Sequence, residues 1–220
     1  MISIAIDGPS GAGKSSISKS VADKLGFIHV DTGALYRSLA YTVLKKGISA
    51  DDEISLKNLL KTTKVTIEYV DGVQKVFVNA EDVSDKIRSE EVSMMSSNIS
   101  KKPIIREFLL DLQRQLAQEN NVIMDGRDIG TVVLPNADVK IFLTASPEKR
   151  AERRFKQILE KGEKKEYNSI LKDIIQRDYQ DSHREIAPLK PAEDSVFVDT
   201  SDLTFEESVL KITEVIGAKI

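Results

Sequence analysis

The sequence of 220 residues predicts an α/β protein in which helices cover a parallel β-sheet. Short apolar runs alternate with segments of helical periodicity along most of the chain. The composition is that of an ordinary globular protein, with 40% hydrophobic and 30% charged residues. The length suits one domain over residues 1–220, with room for an insertion.

Two strand–helix pairs open the pattern. Met1–Ile6 is an apolar run that predicts a buried strand, and Lys14–Leu25 is predicted to be a helix that stops at Gly26. Phe27–Val30 predicts a second strand, and Gly33–Lys46 predicts a second helix, since its apolar residues recur at helical spacing. Consecutive strand–helix pairs are typical of a parallel sheet.

The pattern changes between about residues 60 and 100. Val65 and Ile67 alternate with polar residues, and a second alternating run follows Asp71-Gly72. An Asp-Gly pair between alternating runs predicts a hairpin, because both central residues of the tight turn need positive φ. A hairpin inside a parallel α/β pattern indicates a small inserted subdomain.

The remaining sequence returns to strands and helices. Strands are predicted over Val122–Asp125, Val139–Leu143 and Val196–Val198. Helices are predicted over Ile104–Gln118, Pro147–Lys161, Ile170–Glu185 and Phe205–Ile216. The helix that begins at Pro147 is strongly basic, and a charged loop over residues 162–166 follows it.

Composition excludes several classes of protein. There is no cysteine, so disulfides, thiolate metal sites and cysteine nucleophiles are excluded. The net charge of −3 gives no global attraction to nucleic acid or to an anionic membrane. No apolar stretch approaches the ~18 residues of a membrane span. We therefore expect a cytoplasmic protein.

Residues 8–15 read GPSGAGKS and match the phosphate-loop motif G-x-x-x-x-G-K-[ST]. A predicted strand precedes the motif and a predicted helix follows it, as the motif requires. Glycines let consecutive backbone N–H groups converge on phosphate oxygens, and the helix amino end adds positive potential. Lys14 can reach the β- and γ-phosphates, and the Ser15 hydroxyl can ligate Mg²⁺. The predicted ATP site consists of Gly8, Pro9, Ser10, Gly11, Ala12, Gly13, Lys14, Ser15 and Ser16.

The phosphate loop alone does not decide the activity, because it occurs in kinases, GTPases, motor ATPases and switches. A GTPase should carry an N-K-x-D motif, and the sequence has none. A motor ATPase usually needs a longer chain. A short chain with an insertion and a basic region indicates a kinase of small molecules.

Three charged clusters support that interpretation. Residues 31–37 (DTGALYR) follow the second strand, and residues 125–130 (DGRDIG) follow the third main strand. Arg177, Asp181 and Arg184 are spaced so as to share one face of the predicted helix. Ligands of open α/β sheets bind beyond the carboxyl ends of the strands, so the first two clusters are expected to converge with the phosphate loop.

Phosphoryl transfer brings two polyanions together and therefore needs such cations. Arg37 and Arg127 are expected to clamp an acceptor phosphate bidentately. Asp125 is a candidate carboxylate for ordering Mg²⁺ through water, and a turn or cap aspartate is the alternative.

Arg150, Arg153 and Arg154 lie on the basic helix and are expected to cover the ATP phosphates and exclude water. This gives a predicted helical lid over about residues 150–168, with Arg150 and Arg154 in the ATP site. A solvated helix face paired with Glu148 and Glu152 is the alternative.

Taken together, these motifs resemble the bacterial cytidylate kinases, which are P-loop nucleoside monophosphate kinases. The resemblance extends from the phosphate loop to the last helix and includes the hairpin insertion. It is carried by residues 6–14 (IDGPSGAGK), 31–37 (DTGALYR), 125–133 (DGRDIGTVV) and 187–189 (APL), together with Arg177, Asp181 and Arg184.

The resemblance implies a P-loop kinase core with an inserted nucleotide-binding subdomain. It implies ATP-dependent, in-line phosphorylation of CMP and dCMP with Mg²⁺, in pyrimidine nucleotide metabolism. The implied catalytic residues are Lys14, Arg127 and Arg177. Thr32, Arg106, Asp128 and Arg184 would read the cytosine; Ser97, Arg177 and Asp181 would hold the sugar; Tyr36, Arg37 and Arg127 would hold the acceptor phosphate. We include Asp125 in the CMP site and expect a monomer.

Two departures and two alternatives accompany the resemblance. The family often has Gly-Thr where this chain has Ser15-Ser16, and often Ser where this chain has Thr32. Ser15 keeps the hydroxyl that Mg²⁺ needs, whereas Thr32 adds a methyl group to the base pocket. A P-loop kinase for UMP, AMP or shikimate is the alternative enzyme. A non-catalytic nucleotide-binding switch is the alternative from another class.

Overall fold

The chain folds into two compact units. The computed structural model describes residues 1–160 and 162–220, so the predicted end of the basic helix at Lys161 lies outside the described residues. The first unit consists of Met1–His29 and Asn120–Ile220, and the second is Val30–Glu119. The segment over about residues 60–100 that the sequence predicts as an insertion lies inside the second unit.

The elements follow one another as a mixture of strands and helices. The strands are β1 (Ser3–Asp7), β2 (Ile28–Asp31), β3 (Val65–Val70), β4 (Val73–Val78), β5 (Glu81–Asp82), β6 (Val122–Gly126), β7 (Val139–Thr144) and β8 (Val196–Asp199). The helices are α1 (Lys14–Leu25), α2 (Thr32–Lys45), α3 (Glu53–Lys61), α4 (Glu90–Ile99), α5 (Pro103–Glu119), α6 (Pro147–Glu160), α7 (Tyr167–Ser182) and α8 (Phe205–Gly217). A 3₁₀ turn forms at Lys86–Arg88 and a π-helical turn at Ile129–Val133.

A five-stranded sheet with the order β2-β6-β1-β7-β8 organises the first unit. β1 pairs in parallel with both β6 and β7, and β7 pairs in parallel with β8. Ile4 and Ile6 on one face of the central strand and Ala5 on the other are all fully buried, as a strand covered on both faces requires. This confirms the predicted α/β class with a parallel sheet.

Helices of the first unit bury apolar faces against this sheet and against each other. Ile17 and Val21 of α1 and Ile212 of α8 belong to one core cluster with β1, β6, β7 and β8. A smaller cluster joins α6 to α7 through Ile158 and Ile170, with further packing around them. The basic helix α6 is therefore amphipathic, with its apolar side facing α7.

The second unit contains a three-stranded antiparallel sheet with the order β3-β4-β5. Val65 pairs with Val78 in its hairpin. The turn residues Asp71 and Gly72 have φ values of 51° and 71°, which confirms the turn predicted from the Asp-Gly pair. Leu39 of α2 is fully buried in a core shared with the sheet and the neighbouring helices.

The short helices α3 and α4 of this unit were not predicted from the sequence. Leu56, Leu59 and Leu60 of α3 recur at helical spacing, with Leu56 buried and the other two partly buried against the same core. Asp52 caps α3 by accepting from the Ser55 N–H, and Ser89 caps α4 in the same way. Both apolar spacing and a capping residue therefore mark α3 in the sequence.

The predicted helix over Ile170–Glu185 is wrong at its end, and Arg184 does not share a helix face with Arg177 and Asp181. The helix stops at Ser182, whose hydroxyl donates to the carbonyl groups of Asp178 and Tyr179. The chain then turns sharply before Pro188, with Ala187 at a φ of 48°.

In the described part of the chain, no helix is both long enough and apolar enough to span a membrane.

Gly8 provides a test of the packing at the end of β1. An added Cβ would lie 1.8 Å from the carbonyl oxygen of Leu143, and the φ of Gly8 is 154°. We expect Gly8→Ala to lower the free energy of unfolding in urea by roughly 3 kcal/mol or more. Gly26→Ala is the matched control, because its φ is 69° but an added Cβ meets no described atom within 4 Å. It should cost only about 1 kcal/mol, and equal losses for both variants would contradict this account.

Candidate functional site

The phosphate loop connects β1 to α1 and leaves the amino end of that helix available to an anion. Gly11 and Gly13 have φ values of 76° and 89°, a conformation that glycine adopts without strain. Gly13 occupies the N-cap position of α1, and within the described residues no side chain caps the helix. The first N–H groups of α1 can therefore donate to a phosphate.

Lys14 is a buried cation at the start of α1. Its side chain folds back so that Nζ donates to the Pro9 carbonyl at 2.7 Å, and the residue is only 5% exposed. Burial, together with the charge of Arg127, lowers the pKa of Lys14 to about 7, against the opposing effect of Asp125 and Asp7. A phosphate placed here would stabilise a charge that the protein itself solvates poorly.

Ser15 forms a hydrogen-bonded chain with two other residues of the first unit. Its Oγ donates to Asp125 Oδ2 at 2.7 Å, and His29 Nε2 lies 2.6 Å from Asp125 Oδ1. Burial would raise the pKa of Asp125, but the hydrogen bond and charge of His29, with the charge of Lys14, outweigh burial and hold that pKa below its usual range. Asp125 is therefore an ionised carboxylate beside the phosphate loop.

The donor set at Ser15 and Asp125 suits Mg²⁺. Hydroxyl and carboxylate oxygens are the hard ligands that this cation prefers. Among the described residues no group of three His, Cys, Asp or Glu side chains could hold a metal by itself. A cation at Ser15 would therefore depend on nucleotide phosphates and water for its remaining ligands, which is how Mg²⁺ is usually held at such sites.

Asp7 is a functional candidate that the sequence analysis missed. It ends β1 directly before the phosphate loop, and its carboxylate accepts from the N–H groups of Ile129 and Gly130 at 2.7 and 2.8 Å. It therefore fixes the backbone that follows Asp128. Burial raises the pKa of Asp7 to about 6, although the two N–H groups oppose the rise. Asp7 directly follows the apolar run Met1–Ile6, and that run gave no sign of this role.

Two arginines of the first unit pair with the carboxylates that the sequence analysis grouped with them. Arg127 Nε donates to Asp181 Oδ2 at 2.9 Å, and Arg184 Nη2 lies 3.4 Å from Asp128 Oδ1. The Arg184 and Asp128 side chains are 5% and 7% exposed. Burial opposes the ionisation of Asp181, but the charge and hydrogen bond of Arg127 hold its pKa below the usual range. The pair of Arg127 with Asp181 is therefore ionic.

Arg177 precedes this group on the same helix as Asp181 and is partly buried. Its positive charge also contributes to the lowered pKa of Asp181. Arg177 and Arg184 thus act on one carboxylate although they do not share a helix face.

Arg150 is buried in the first unit, where it joins three segments. Its guanidinium donates to the Ser10 carbonyl at 3.0 Å and to the Ala145 carbonyl at 2.8 Å, and it forms a two-pronged ion pair with Asp178. The alternative of a solvated face paired with Glu148 and Glu152 therefore does not describe Arg150. Arg154 is exposed. Binding of ATP by Arg150 and Arg154 stays a prediction.

The second unit holds a separate group of predicted site residues at the start of α2. Arg37 Nη2 donates to Asp31 Oδ2 at 2.8 Å, and Asp31 Oδ1 caps α2 by accepting from the Ala34 N–H. Asp31 therefore fixes both the helix end and the arginine. Thr32, the first residue of α2, is 3% exposed.

Three further predicted residues of the second unit lie on α2, α4 and α5. Arg106 is 9% exposed, and its guanidinium lies 5.9 Å from the centre of the Tyr36 ring, within the range of a cation–π interaction. Ser97 Oγ is buried and has no hydrogen-bond partner among the described residues. A buried hydroxyl in this state is a candidate for a ligand contact.

Comparison with known proteins gives one consistent family. The cytidylate kinase family model matches residues 4–218. A cytidylate kinase from Caldicellulosiruptor bescii is 51% identical over 213 residues, covering 97% of this chain and 94% of its own. A cytidylate kinase from a Geobacillus species is 48% identical over 219 residues, covering 100% and 98% of the two chains.

Solved structures of more distant proteins share the fold of this chain. A shikimate kinase from Bacteroides thetaiotaomicron superimposes with a TM-score of 0.50 at 15% identity, covering 98% of each chain. An uncharacterised protein from Eubacterium ventriosum gives a TM-score of 0.51 at 12% identity, covering 99% of this chain and 97% of its own. At such identities the likeness concerns the fold alone.

The raised pKa of Asp7 predicts a pH dependence of stability. The folded state binds the proton of Asp7 more tightly than the unfolded state does, so protonation of Asp7 stabilises the fold. This stabilisation is complete below about pH 4 and is lost as the pH rises through about 6. Asp7→Asn cannot ionise. We expect the free energy of unfolding of the variant, minus that of wild type, to rise by about 2–3 kcal/mol between pH 4 and 7.

Asp138→Asn is the control for this measurement. The Asp138 carboxylate binds the Ser3 N–H near the surface, and this hydrogen bond lowers its pKa. For Asp138→Asn, the free energy of unfolding of the variant minus that of wild type should therefore not rise between pH 4 and 7. A difference that falls with pH for Asp7→Asn would mean that the two N–H groups outweigh burial.

Proposed function

Because the chain belongs to the cytidylate kinase family, we propose that it transfers the γ-phosphoryl group of ATP to CMP and dCMP, giving CDP and dCDP. The observation that carries this proposal is the phosphate loop, where buried Lys14 and an amino end of α1 without a side-chain cap form a site for a polyphosphate. The alternative of a non-catalytic switch does not account for the arginine–carboxylate pairs.

The donor side of the reaction uses the residues around the phosphate loop. We propose that residues 8–16 bind the ATP phosphates through backbone N–H groups and that Lys14 neutralises charge on the β- and γ-phosphates. Mg²⁺, when bound, would supply positive charge that offsets the charge of these phosphates. Ser15 would hold the ion directly, and Asp125 would act on it through water.

The transfer itself is a direct displacement. An oxygen of the CMP phosphate attacks the γ-phosphorus, the bond from that phosphorus to the bridging oxygen breaks, and ADP leaves with the bond electrons. The attacking phosphate is already ionised at neutral pH, so no general base is required. The protein's contribution is charge and position, for which we assign Lys14, Arg127 and Arg177.

The acceptor phosphate and sugar need their own partners. We propose that Arg37, Arg127 and Tyr36 bind the CMP phosphate, since an arginine can donate two parallel hydrogen bonds to it. Asp31 and Asp181 hold Arg37 and Arg127 through hydrogen bonds, which supports this assignment.

The ribose or deoxyribose would contact Ser97, Arg177 and Asp181. The buried Ser97 hydroxyl, which has no partner among the described residues, supports this assignment.

The base would be read by Asp128, Arg184, Thr32 and Arg106. Cytosine presents an amino donor beside the acceptors N3 and O2, whereas uracil presents an acceptor and an N–H donor at the corresponding positions. An ionised carboxylate only accepts hydrogen bonds, so Asp128 suits the cytosine amino group, and Arg184 or Arg106 suits N3 or O2. The pairing of Asp128 with Arg184 supports this arrangement, because it places acceptor and donor side by side.

A monomeric, cytoplasmic enzyme with a lid over about residues 150–168 completes the proposal. When this lid is closed over ATP, the exposed side chain of Arg154 would reach the ATP phosphates. The closed lid would also exclude water that could hydrolyse ATP.

Lys14→Ala tests the reaction. We expect kcat with ATP and CMP to fall by about 10²–10³ while the circular dichroism spectrum is retained, because a transition-state charge loses its partner. A coupled assay of ADP formation should rank CMP and dCMP above UMP, AMP and shikimate in kcat/KM. Lys24→Ala, at the exposed end of the same helix, should keep wild-type turnover. A folded Lys14→Ala variant with normal turnover, or another preferred acceptor, contradicts the proposal.

Asp128→Asn tests the reading of the base. Asparagine offers a donor as well as an acceptor, so it tolerates the uracil oxygen that repels a carboxylate. We expect the ratio of kcat/KM for CMP over UMP to narrow by about tenfold or more. Asp194→Asn is the control, since Asp194 pairs with Lys140 at the surface. An unchanged ratio in Asp128→Asn would remove that residue from base selection.

A further inference from the structure

His29 is a partly buried residue to which the proposed reaction assigns no role. It belongs to β2, which neighbours β6 in the sheet, and Asp125 lies near the end of β6. Side chains on one face of neighbouring strands adjoin each other. His29 Nε2 lies 2.6 Å from Asp125 Oδ1, and the two side chains are 12% and 4% exposed. The contact is therefore short and largely shielded from water.

The geometry of the contact gives the two oxygens of the Asp125 carboxylate different neighbours. Oδ1 lies at His29 Nε2 and Oδ2 lies at Ser15 Oγ. A His29 ring with hydrogen on Nε2 donates to Oδ1 and so holds the orientation of the carboxylate. The other oxygen, Oδ2, is thereby turned toward Ser15.

Ser15 completes the chain. A serine hydroxyl has one hydrogen and two lone pairs. Because that hydrogen is donated to Asp125 Oδ2 at 2.7 Å, both lone pairs of Ser15 Oγ are left for other partners. A hydroxyl presented in this way suits a cation, whereas a freely rotating one would spend part of its time with its hydrogen toward the ion.

The order of the three residues excludes a nucleophilic triad. In such a triad the histidine touches the serine and removes its proton. Here the carboxylate lies between them, so His29 acts on Ser15 only through the orientation of Asp125.

We propose that His29 is a positioning residue for the metal site: it holds the Asp125 carboxylate so that Ser15 presents its lone pairs to Mg²⁺. The inference rests on the proposed role of Ser15 as a metal ligand. Groups that orient metal ligands in this way typically change metal affinity by about 10–100-fold when they are replaced. His29 should therefore set how strongly Mg²⁺ supports ATP binding without itself touching ATP.

Calorimetric titration with a non-hydrolysable ATP analogue separates this role from a general structural one. The dissociation constant of the analogue is measured in EDTA and again with Mg²⁺. The constant in EDTA divided by the constant with Mg²⁺ gives the contribution of the metal to binding. We expect His29→Leu to reduce that ratio by about tenfold or more while the metal-free constant stays near wild type. Equal weakening under both conditions would mean that His29 only supports the fold and would overturn the inference.

His29→Gln is the conservative variant, because its side-chain nitrogen lies as many bonds from Cα as histidine Nε2 and carries hydrogens. It should restore most of the metal contribution. The chain's other histidine, His183, is exposed and stacks on Tyr179, so His183→Gln should leave the ratio unchanged. Failure of the glutamine variant to differ from the leucine variant would contradict a donor role.

A double-variant cycle locates the effect. Ser15→Ala should abolish the metal contribution, and adding His29→Leu to it should then have no further effect on the ratio. Additive losses would show that His29 acts by a route other than Ser15 and would overturn the inference.

If Mg²⁺ does not strengthen binding of the ATP analogue to the wild-type protein, the assignment of Ser15 as a metal ligand fails and this inference fails with it. The choice of acceptor nucleotide is measured separately and does not depend on this result.

Discussion

The buried carboxylates of the first unit hold together the segments around the phosphate loop, and the candidate site depends on them. Asp7 fixes the backbone after Asp128 through two N–H groups, and Asp125 fixes the Ser15 hydroxyl. Asp181 holds Arg127. An unpaired charge in such surroundings is strongly destabilising, so each carboxylate restricts its partner to one position. The polar side chains of the candidate site are therefore oriented by the fold itself.

Three arginines among the predicted site residues have carboxylate partners. Arg127 pairs with Asp181, Arg184 with Asp128, and Arg37 with Asp31. A ligand that drew an arginine out of such a pair would have to replace the hydrogen bonds that are lost, because an unsatisfied buried charge is costly.

Local signals predicted much of the fold but only the parts of the site that lie within short motifs. The Asp71-Gly72 turn and the helix after the phosphate loop followed from local conformational rules. The short helix around Leu56 was missed although Leu56, Leu59 and Leu60 recur at helical spacing. Helical spacing placed Arg184 on a face that it does not occupy, because the chain turns after Ser182. The partner of His29 lies 96 positions away in the sequence, and nothing local to a single histidine indicates such a neighbour.

The first unit is discontinuous, since the whole of Val30–Glu119 is inserted between its two pieces. The strand β1 precedes the second unit in the sequence, yet both strands that flank it, β6 and β7, follow that unit. During translation, the second unit has all of its chain outside the ribosome while the apolar side chains of Ile4 and Ile6 still have no sheet to join. Vectorial synthesis therefore favours folding from the middle of the chain outward.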